Sequence, residues 1–512
     1  MIKLKAKALF IFLCIFSMLF LAEHKLSVDA VDNLIYVPDD YSTIQEAINY
    51  ANPGDIIFVR EGTYLEHVVI NKSVSLIGEN VYSTIIDGSG VGSVVRITTG
   101  NVNIRGFTIR GSGSQPYDSG ITVDHCNKVN ISSNIITENQ CGISLHSCSK
   151  IVISNNTIYS NTNHGIILYY SSDNVIYRNA IIDNCDGTCF YASAKNILSS
   201  NNISLNDNYG ISLYYSSNNR IFANNVILND DYGIYLTLNS DKNTIYHNNF
   251  INNTLQVWSD SDNFWENGNE GNYWSDYEGK DLNADGIGDT PYFIDNVNRD
   301  NHPLMGMFFD FEIILEGETY HITAICNSTV SNFTFEIGQE TGNRIVHFDV
   351  AGLTSIFVFC RIAVPTRLMS YPYIVLVGNK EIAPTLLDLS NETYVYLYFT
   401  CIGGYTITII SSRITHLYNE LLNEYVKLKN DLESLNSSYW GFLNNYDQLQ
   451  QRYNELNCSY QELLSKYHEN ELNAQNLTYI IAALSGIIIV TIVYLSKSIY
   501  TGKIKVFRSE RS

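Results

Sequence analysis

The sequence predicts a mainly β protein that begins with a parallel β-helix and continues with an immunoglobulin-like β-sandwich, a long coiled coil and one C-terminal transmembrane helix. Three patterns support this fold class: a repeat of 22 or 23 residues, alternating apolar strands after it, and eight heptads before an uncharged apolar segment. The resulting segments are 1–30 (signal peptide), 31–305 (β-helix with an N-terminal cap), 306–411 (β-sandwich), 412–476 (coiled coil), 477–496 (transmembrane helix) and 497–512 (basic cytoplasmic tail).

The N-terminus has the features of a secretory signal. Lys3, Lys5 and Lys7 precede an apolar run, and Val28 and Ala30 are the small residues that signal peptidase accepts. The whole chain carries 31 Lys and Arg against 52 Asp and Glu, which is a formal net charge of −21. This charge opposes binding to phosphate backbones, so we expect no nucleic-acid partner.

The repeat is marked by glycines at a spacing of 22 or 23 residues: Gly120, Gly142, Gly165, Gly187, Gly210 and Gly233. With the exception of Thr188, positions one and three after each glycine are apolar, which is typical of a strand with one face inward. Two asparagine columns run through the same segments: Asn134, Asn156, Asn179, Asn201, Asn224 and Asn248, and Asn139, Asn161, Asn184, Asn206, Asn229 and Asn253. We expect these asparagines to adopt the left-handed backbone conformation at corners and to hydrogen-bond from coil to coil. Before the repeat, Ser42 or Thr43 is expected to cap a short helix that reaches Asn49 and covers the first coil.

Two stretches carry a resemblance to known proteins. The stretch from Tyr41 to Asn80, with the coils after it, resembles right-handed parallel β-helix proteins of the carbohydrate-binding and sugar-hydrolase type. The segment "GNYWSDYEGKDLNADGIGDTPYFIDNVNRDNHPLM" (Gly271 to Met305) resembles more closely the end of the repeats in the NosD-like group. This resemblance implies the fold, and it implies copper delivery to nitrous oxide reductase in the periplasm as one function. The composition and this segment also resemble those of archaeal envelope proteins.

Catalysis on such a fold would require clustered carboxylates on one outer face. The acidic residues of the repeat are instead scattered, at Asp124, Asp183, Asp186, Asp207, Asp230 and Asp231. The polygalacturonase-like GHG and RIK motifs are absent from the sequence. A polysaccharide lyase or hydrolase therefore stays an alternative, and we name no catalytic residue.

Cys126, His146 and Cys148 are the candidate ligands for copper, because thiols and imidazoles suit this metal. The columns offer another explanation of the cysteines. Six places after the glycines stand Cys126, Cys148, Ser171, Ser193, Ser216 and Asn239, which we interpret as a stack of small residues at one corner. We favour this structural role over copper binding.

Tyrosines are the candidate binding residues. Tyr169, Tyr191 and Tyr214 occupy the outward position four after the glycine, and Tyr170 and Tyr215 lie beside them. Aromatic rings on a flat sheet can stack on sugars, and their hydroxyls can hydrogen-bond to them. The alternative is a ladder of tyrosines that reflects only their preference for strands.

The segment "DLNADGIGD" follows the spacing of a calcium loop. Asp281, Asn283, Asp285 and Asp289 occupy positions 1, 3, 5 and 9, and Ile287 offers its carbonyl at position 7. Position 12 is tyrosine, which excludes a complete EF-hand. This segment has two interpretations: a looser calcium loop that borrows Asp295 or Asp300, and a solvated turn of Asp, Asn and Gly residues.

The heptads run without a break of phase, with tyrosine at seven of the eight a positions. Their phase passes through Trp440 and Gly441, so we predict one continuous rod that joins copies of the chain into a homo-oligomer. The uncharged segment from Tyr479 to Leu495 can span a membrane. The basic tail after it predicts a cytoplasmic C-terminus and an ectodomain outside the cell membrane.

These features predict a single-pass surface protein that binds carbohydrate or envelope polymers without cleaving them. Eleven N-x-S/T sequons in the predicted ectodomain are compatible with a glycoprotein. The alternatives are a polysaccharide lyase or hydrolase and a NosD-like copper-handling protein. A cluster of acids facing a groove would favour the enzyme, and a buried His/Cys set would favour the copper-handling protein.

Overall fold

The computed structural model describes residues 33–352, 357–469 and 474–509. The chain divides into two compact units between Leu417 and Tyr418. The predicted signal peptide lies outside the described residues.

Three long parallel sheets confirm the β-helix. Sheet A contains the strands Leu34–Val37, Ile56–Val59, Ser75–Gly78, Val102–Arg105, Val129–Ser132, Val152–Ser154, Val175–Tyr177, Ile197–Ser199, Arg220–Phe222 and Thr244–Tyr246. Sheet B contains Gly62–Leu65, Thr84–Asp87, Thr108–Arg110, Ile135–Thr137, Thr157–Tyr159, Ala180–Ile182, Asn202–Ser204, Asn225–Ile227, Asn249–Ile251 and Tyr273–Trp274. Sheet C contains Val68–Ile70, Val95–Ile97, Ser119–Asp124, Cys141–His146, His164–Tyr169, Asp186–Tyr191, Ile211–Tyr214, Tyr232–Thr237 and Leu255–Ser259. Each successive coil therefore contributes one strand to each of the three sheets.

The apolar columns form the core of the β-helix. Ile143 pairs in register with Ile121 on one side and Ile166 on the other, and all three are fully buried. The glycines are needed because the coils approach closely at these positions. A Cβ atom on Gly187 would lie 2.5 Å from the carbonyl oxygen of Gly210 and 2.6 Å from Cγ2 of Ile203.

The asparagine columns join the coils as expected. The side-chain amide of Asn201 donates to Oδ1 of Asn224 at 2.9 Å and to two carbonyl oxygens, and its own Oδ1 accepts from the backbone N–H of Asn179. The expectation of a left-handed backbone at these asparagines is wrong. The residue before each one has positive φ, such as Ser200 at 55°. The buried asparagine satisfies the polar groups inside the corner, so the preceding residue makes the turn.

Two further ladders connect the coils at another corner. One consists of asparagines that form a third column, which we did not predict from the sequence: Asn174, Asn196, Asn219, Asn243 and Asn263. The serines of the small-residue stack form the other, because a backbone N–H of each coil donates to the serine hydroxyl of the next coil. The sixth member of this stack is Ser240 and not Asn239, because the coil that joins Ser216 to Ser240 is one residue longer.

Both ends of the β-helix are covered. Thr43 caps α1 (Ile44–Tyr50) by accepting from the backbone N–H of Glu46 at 3.1 Å, as predicted. At the other end, the ring of Trp274 stacks between Phe250 and Tyr292, with centroids 4.6 and 4.4 Å away. The segment that resembles NosD-like proteins therefore closes the last coil with aromatic rings.

Two five-stranded antiparallel sheets follow and share one core, which agrees with the predicted β-sandwich. One sheet contains Met307–Leu315, Glu318–Cys326, Phe357–Pro365, Tyr394–Ile402 and Thr385–Leu386. The other contains Val330–Ile337, Arg344–Val350, Tyr405–Ser411, Tyr373–Val377 and Lys380–Ile382. A short antiparallel pair, Tyr292–Phe293 and Arg299–Asp300, precedes them.

The sandwich packs directly against the last coils of the β-helix. The side chain of Asn249 accepts from the backbone N–H of Phe308 at 2.7 Å and donates to its carbonyl oxygen at 2.8 Å. The ring of His247 stacks on Phe308, with 4.0 Å between the centroids. These contacts join the two domains through both backbone and side chains.

A buried ion pair lies in the same junction. Nη2 of Arg361 is 2.6 Å from Glu270, and Nε2 of His247 is 2.7 Å from the other oxygen of this carboxylate. Arg361 is only 4 % exposed. Burial by itself would raise the pKa of Glu270, but the hydrogen bond from His247 and the charge of Arg361 lower it to about 2. The pair therefore stays ionised across the ordinary range of pH.

The second unit consists of helices. α2 (Arg413–Glu469) continues through Gly441, which confirms one helix and not a hairpin. Its heptad side chains Leu428 and Leu435 are 69 % and 67 % exposed in the single chain. α3 (Ala474–Ser509) contains the stretch Ile481–Ser498, which is long and apolar enough to cross a membrane.

We expect Glu270→Gln to destabilise the first unit by about 3–5 kcal/mol at neutral pH, because it leaves the Arg361 charge buried without a counter-ion. The folded-state pKa of Glu270 is lower than its ordinary value of 4.5. Its contribution to stability is therefore present above about pH 4.5 and is lost as the pH falls towards 2, and the variant should lack this dependence. Chemical denaturation between pH 2 and 7 measures both effects.

Arg178→Ala is the matched control. Arg178 pairs with Glu312 across the same junction at 2.6 Å, but its side chain is 45 % exposed. Its loss should cost less than about 1 kcal/mol. Equal losses in the two variants would contradict the role assigned to the buried pair.

Candidate functional site

The candidate functional site lies on the outer face of sheet C, which carries columns of polar, ionisable and aromatic side chains. Its longest strands have six residues, whereas most strands of sheets A and B have three or four. Three outward columns cross this face: Ser119, Cys141, His164, Asp186, Tyr209 and Tyr232; Thr122, Ser144, Ile167, Cys189, Ser212, Tyr235 and Trp258; and Asp124, His146, Tyr169, Tyr191, Tyr214 and Thr237. The columns are polar at the N-terminal coils and aromatic at the C-terminal coils.

The polar end contains an open groove of about 800 Å³. Among the residues that line it are His67, Arg96, Tyr117, Asp124, His146 and Tyr169. They come from successive strands of sheet C and from the loops beside them. The parallel stacking therefore brings together residues that are up to about a hundred positions apart in the sequence.

Charged groups line this groove. Nη2 of Arg96 forms an ion pair with Oδ2 of Asp124, and Nδ1 of His125 lies 3.1 Å from Oδ1 of the same residue. Partial burial raises the pKa of Asp124, but the hydrogen bonds from Arg96 and His125 outweigh it and lower the pKa below the ordinary value. Asp124 is therefore a carboxylate that stays ionised.

An imidazole and two phenol rings form one wall. The rings of His146 and Tyr169 are stacked, with 5.1 Å between centroids, and Tyr117 contacts both at about 6 Å. Burial lowers the pKa of His146, which favours the neutral ring. Burial, with the nearby thiols, raises the pKa of Tyr169 to about 12, so its hydroxyl keeps its proton. This wall offers neutral donors and acceptors beside flat rings.

Seven aromatic side chains continue along the same face towards the C-terminal coils. They form the aromatic stripe: Tyr169, Tyr191, Tyr209, Tyr214, Tyr232, Tyr235 and Trp258. Tyr209 and Tyr235 are stacked at 4.8 Å, and Tyr235 stacks on Trp258 at 6.5 Å. The rings of Tyr169 and Tyr214 cover the buried side chains of Ile167 and Cys189. The stripe is therefore a largely apolar aromatic surface on the outside of the sheet.

The five predicted tyrosines all lie at this face. Tyr169, Tyr191 and Tyr214 are half-buried in the aromatic stripe, whereas Tyr170 and Tyr215 are 65 % and 49 % exposed at the corner beside it. Sequence reasoning missed Tyr209, Tyr232, Tyr235 and Trp258, and also Arg96 and Tyr117 in the groove. The signal for the first four was present in the two other outward columns.

The candidate copper ligands do not converge. His146 faces the groove, whereas the thiols of Cys126 and Cys148 lie inside the corner stack and donate to backbone carbonyl oxygens. Burial raises the pKa of Cys148 to about 11, which opposes the thiolate that copper requires. These residues therefore do not fit a copper site.

The segment "DLNADGIGD", which has the spacing of a calcium loop, forms a tight loop next to the sandwich. The carboxylate of Asp281 accepts from the backbone N–H groups of Asp285 and Gly286, and that of Asp289 accepts from Leu282. The side chain of Asn283 donates to Asp285 at 3.0 Å. No group of three His, Cys, Asp or Glu side chains within the described ranges has an arrangement that could hold a metal ion.

Comparisons with known proteins bear on the β-helix. Residues 53–279 match the sequence profile of the family described as "Periplasmic copper-binding protein (NosD)". A comparison with curated proteins finds no match. The matches do not bear on the resemblance to archaeal proteins.

Solved structures with detectable likeness include pectate lyase Pel9A, at 16% identity and a TM-score of 0.36, covering 46% of this chain and 80% of that one. The Dettilon tailspike protein matches at 13% identity and a TM-score of 0.33, over 74% of this chain and 94% of its own. An alginate lyase from Paenibacillus sp. str. FPU-7 matches at 18% identity and a TM-score of 0.28, over 47% and 97% of the two chains. The matched residues 53–279, which are less than half of the chain, lie within the observed coils and the first part of their closing segment, so this part of the β-helix is similar to the NosD family.

Proposed function

We propose that this protein is a membrane-anchored surface protein that binds carbohydrate chains on the outer face of sheet C without cleaving them. The observation that carries the proposal is the continuity of the aromatic stripe with the polar groove. Flat aromatic rings suit the apolar faces of sugar rings, and a paired carboxylate and guanidinium suit neighbouring hydroxyls.

The position of the sequons supports the choice of this face. The β-helix contains sequons at Asn71, Asn130, Asn155, Asn202 and Asn252. They lie at corners or in sheets A and B, and the described strands of sheet C contain none. Glycans attached at these positions would leave the proposed binding face accessible.

The ionised state of Asp124 favours a binding role for this residue over general-acid catalysis. A glycosidase needs one carboxylic acid with a raised pKa that donates a proton to the leaving oxygen. Asp124 instead has a lowered pKa and two hydrogen-bonded partners. It is better suited to accept hydrogen bonds from a bound sugar than to protonate one.

The C-terminal helices support display at a membrane. In the proposed topology, α3 spans the membrane, the basic tail is cytoplasmic and the β-helix is outside. The exposed heptad side chains of α2 would be buried by a second copy of the same helix, which forms a coiled coil and a homo-oligomer.

Tyr235→Ala is expected to weaken glycan binding about tenfold, because it removes the ring that contacts Tyr209, Tyr214 and Trp258 at the centre of the stripe. A glycan array followed by calorimetry with the best ligand measures the change. Tyr246→Ala is the matched control, since Tyr246 also stacks on an aromatic ring, at 5.3 Å, but on sheet A. An equal loss in both variants would contradict the assignment of the binding face.

The detergent-solubilised full chain is expected to sediment as an oligomer. Leu428→Glu with Leu435→Glu should convert it to a monomer, because the substitutions place charges in the a/d seam. Asn430→Glu with Ser437→Glu adds the same charge on the opposite side of α2 and should leave the oligomer intact. A parent chain that sediments as a monomer would refute the coiled coil.

We also propose that calcium binds the loop formed by Asp281, Asn283, Asp285, the carbonyl of Ile287 and Asp289, on the basis of its oxygen-rich spacing. The carboxylates of Asp281 and Asp289 accept backbone hydrogen bonds in this structure, so binding would require these side chains to turn towards the ion. Extracellular loops of this kind bind calcium with dissociation constants of about 10⁻⁴–10⁻³ M, so 10 mM calcium should raise Tm by at least about 1 °C. Asp281→Asn should abolish this shift, and equal magnesium should not reproduce it. A Tm that calcium does not change would remove the proposal.

A further inference from the structure

The rings of the aromatic stripe and of the adjoining groove wall recur once per coil. His146, Tyr169, Tyr191 and Tyr214 lie directly opposite one another on four successive parallel strands. The ring centroids of His146 and Tyr169 are 5.1 Å apart, and those of Tyr169 and Tyr191 are 6.0 Å apart. Parallel strands are spaced by about 4.8 Å, which is comparable with the length of one sugar ring in a linear chain.

A second row of rings begins on the coil of Tyr214 and continues the same period over two further strands. Tyr209, Tyr232 and Tyr235 form a group with centroid distances of 4.8 to 6.1 Å, and Trp258 follows on the next strand. Trp258 is 47 % exposed although it is one of the largest apolar side chains. The face therefore presents rings on five strands in succession, from Tyr169 to Trp258.

The two ends of this face differ in chemistry. The groove end has the ion pair of Arg96 and Asp124, whereas the far end offers mainly rings. The groove also contains Asp118, so its formal charge is negative when the histidines are neutral. Together with a net charge of −21 for the chain, this opposes an anionic polymer.

We infer that sheet C binds a linear, uncharged polysaccharide lengthwise, with about one sugar ring per coil and with one end of the bound segment in the groove. This inference rests on the proposed function, and it adds the class of ligand and the direction of binding. A short oligosaccharide would bind in the groove, where stacking and hydrogen bonds are combined. Each added sugar would then gain one more stacking contact along the aromatic stripe.

The test is calorimetry of the detergent-solubilised full chain with a series of oligosaccharides, from disaccharide to octasaccharide, of the uncharged glycan that binds best on the array. We expect the dissociation constant to fall with each added sugar and to reach a plateau at about seven units, the number of coils from the strand Ser119–Asp124 to the strand Leu255–Ser259. Trp258→Ala should reduce the ligand length at which the dissociation constant stops falling. It should leave the affinity for short ligands unchanged. Asp124→Asn should weaken binding at every length.

Trp258→Phe, which retains a stacking ring, should restore the parent length dependence and thereby exclude a folding defect. Affinity that is already complete with the disaccharide would overturn lengthwise binding while leaving carbohydrate binding in place. Tighter binding of an anionic polymer that weakens with salt would overturn the preference for an uncharged ligand. Absence of binding to every glycan would overturn the proposed function as well.

Discussion

The hydrogen bonds between buried asparagines are the constraint on which the β-helix depends. Each corner removes backbone polar groups from water, and an unpaired buried group costs about 1–3 kcal/mol. Asn201 avoids this cost at its own corner, because its side-chain amide donates to two backbone carbonyl oxygens and to Asn224 in the next coil. Since successive coils of the repeat use the same arrangement, the corners stack directly and the strands between them remain in register.

This register is what creates the candidate site. When corners superimpose, residues at equal positions in successive coils lie about one strand spacing apart. A column of tyrosines in the sequence thus becomes a row of rings in space, and Asp124, His146 and Tyr169 become neighbours. The ladder keeps the coils parallel enough for these rings to contact one another and to cover Ile167 and Cys189.

The junction with the sandwich has a different physical basis. Arg361 and Glu270 are 91 residues apart, and neither belongs to a repeating column. Their buried pair, with the stacking of His247 on Phe308, attaches the sandwich to the last coils. Nothing in the local sequence around Arg361 distinguishes it from a solvent-exposed arginine on a strand, so periodicity predicted the sandwich and not its attachment.

The repeat, its apolar and asparagine columns, the helical cap, the sandwich strands and the single long helix could be predicted from the sequence, because each depends on periodicity or capping signals along the chain. The same periodicity predicted that Tyr169, Tyr191 and Tyr214 share one outer face. Three features became evident only in the folded chain: which residue makes the corner turn, the different directions of the Cys148 and His146 side chains, and the presence of Arg96 and Tyr117 in the groove. These outcomes depend on the direction of side chains and on contacts between coils 22 to 29 residues apart, which periodicity along one strand does not specify.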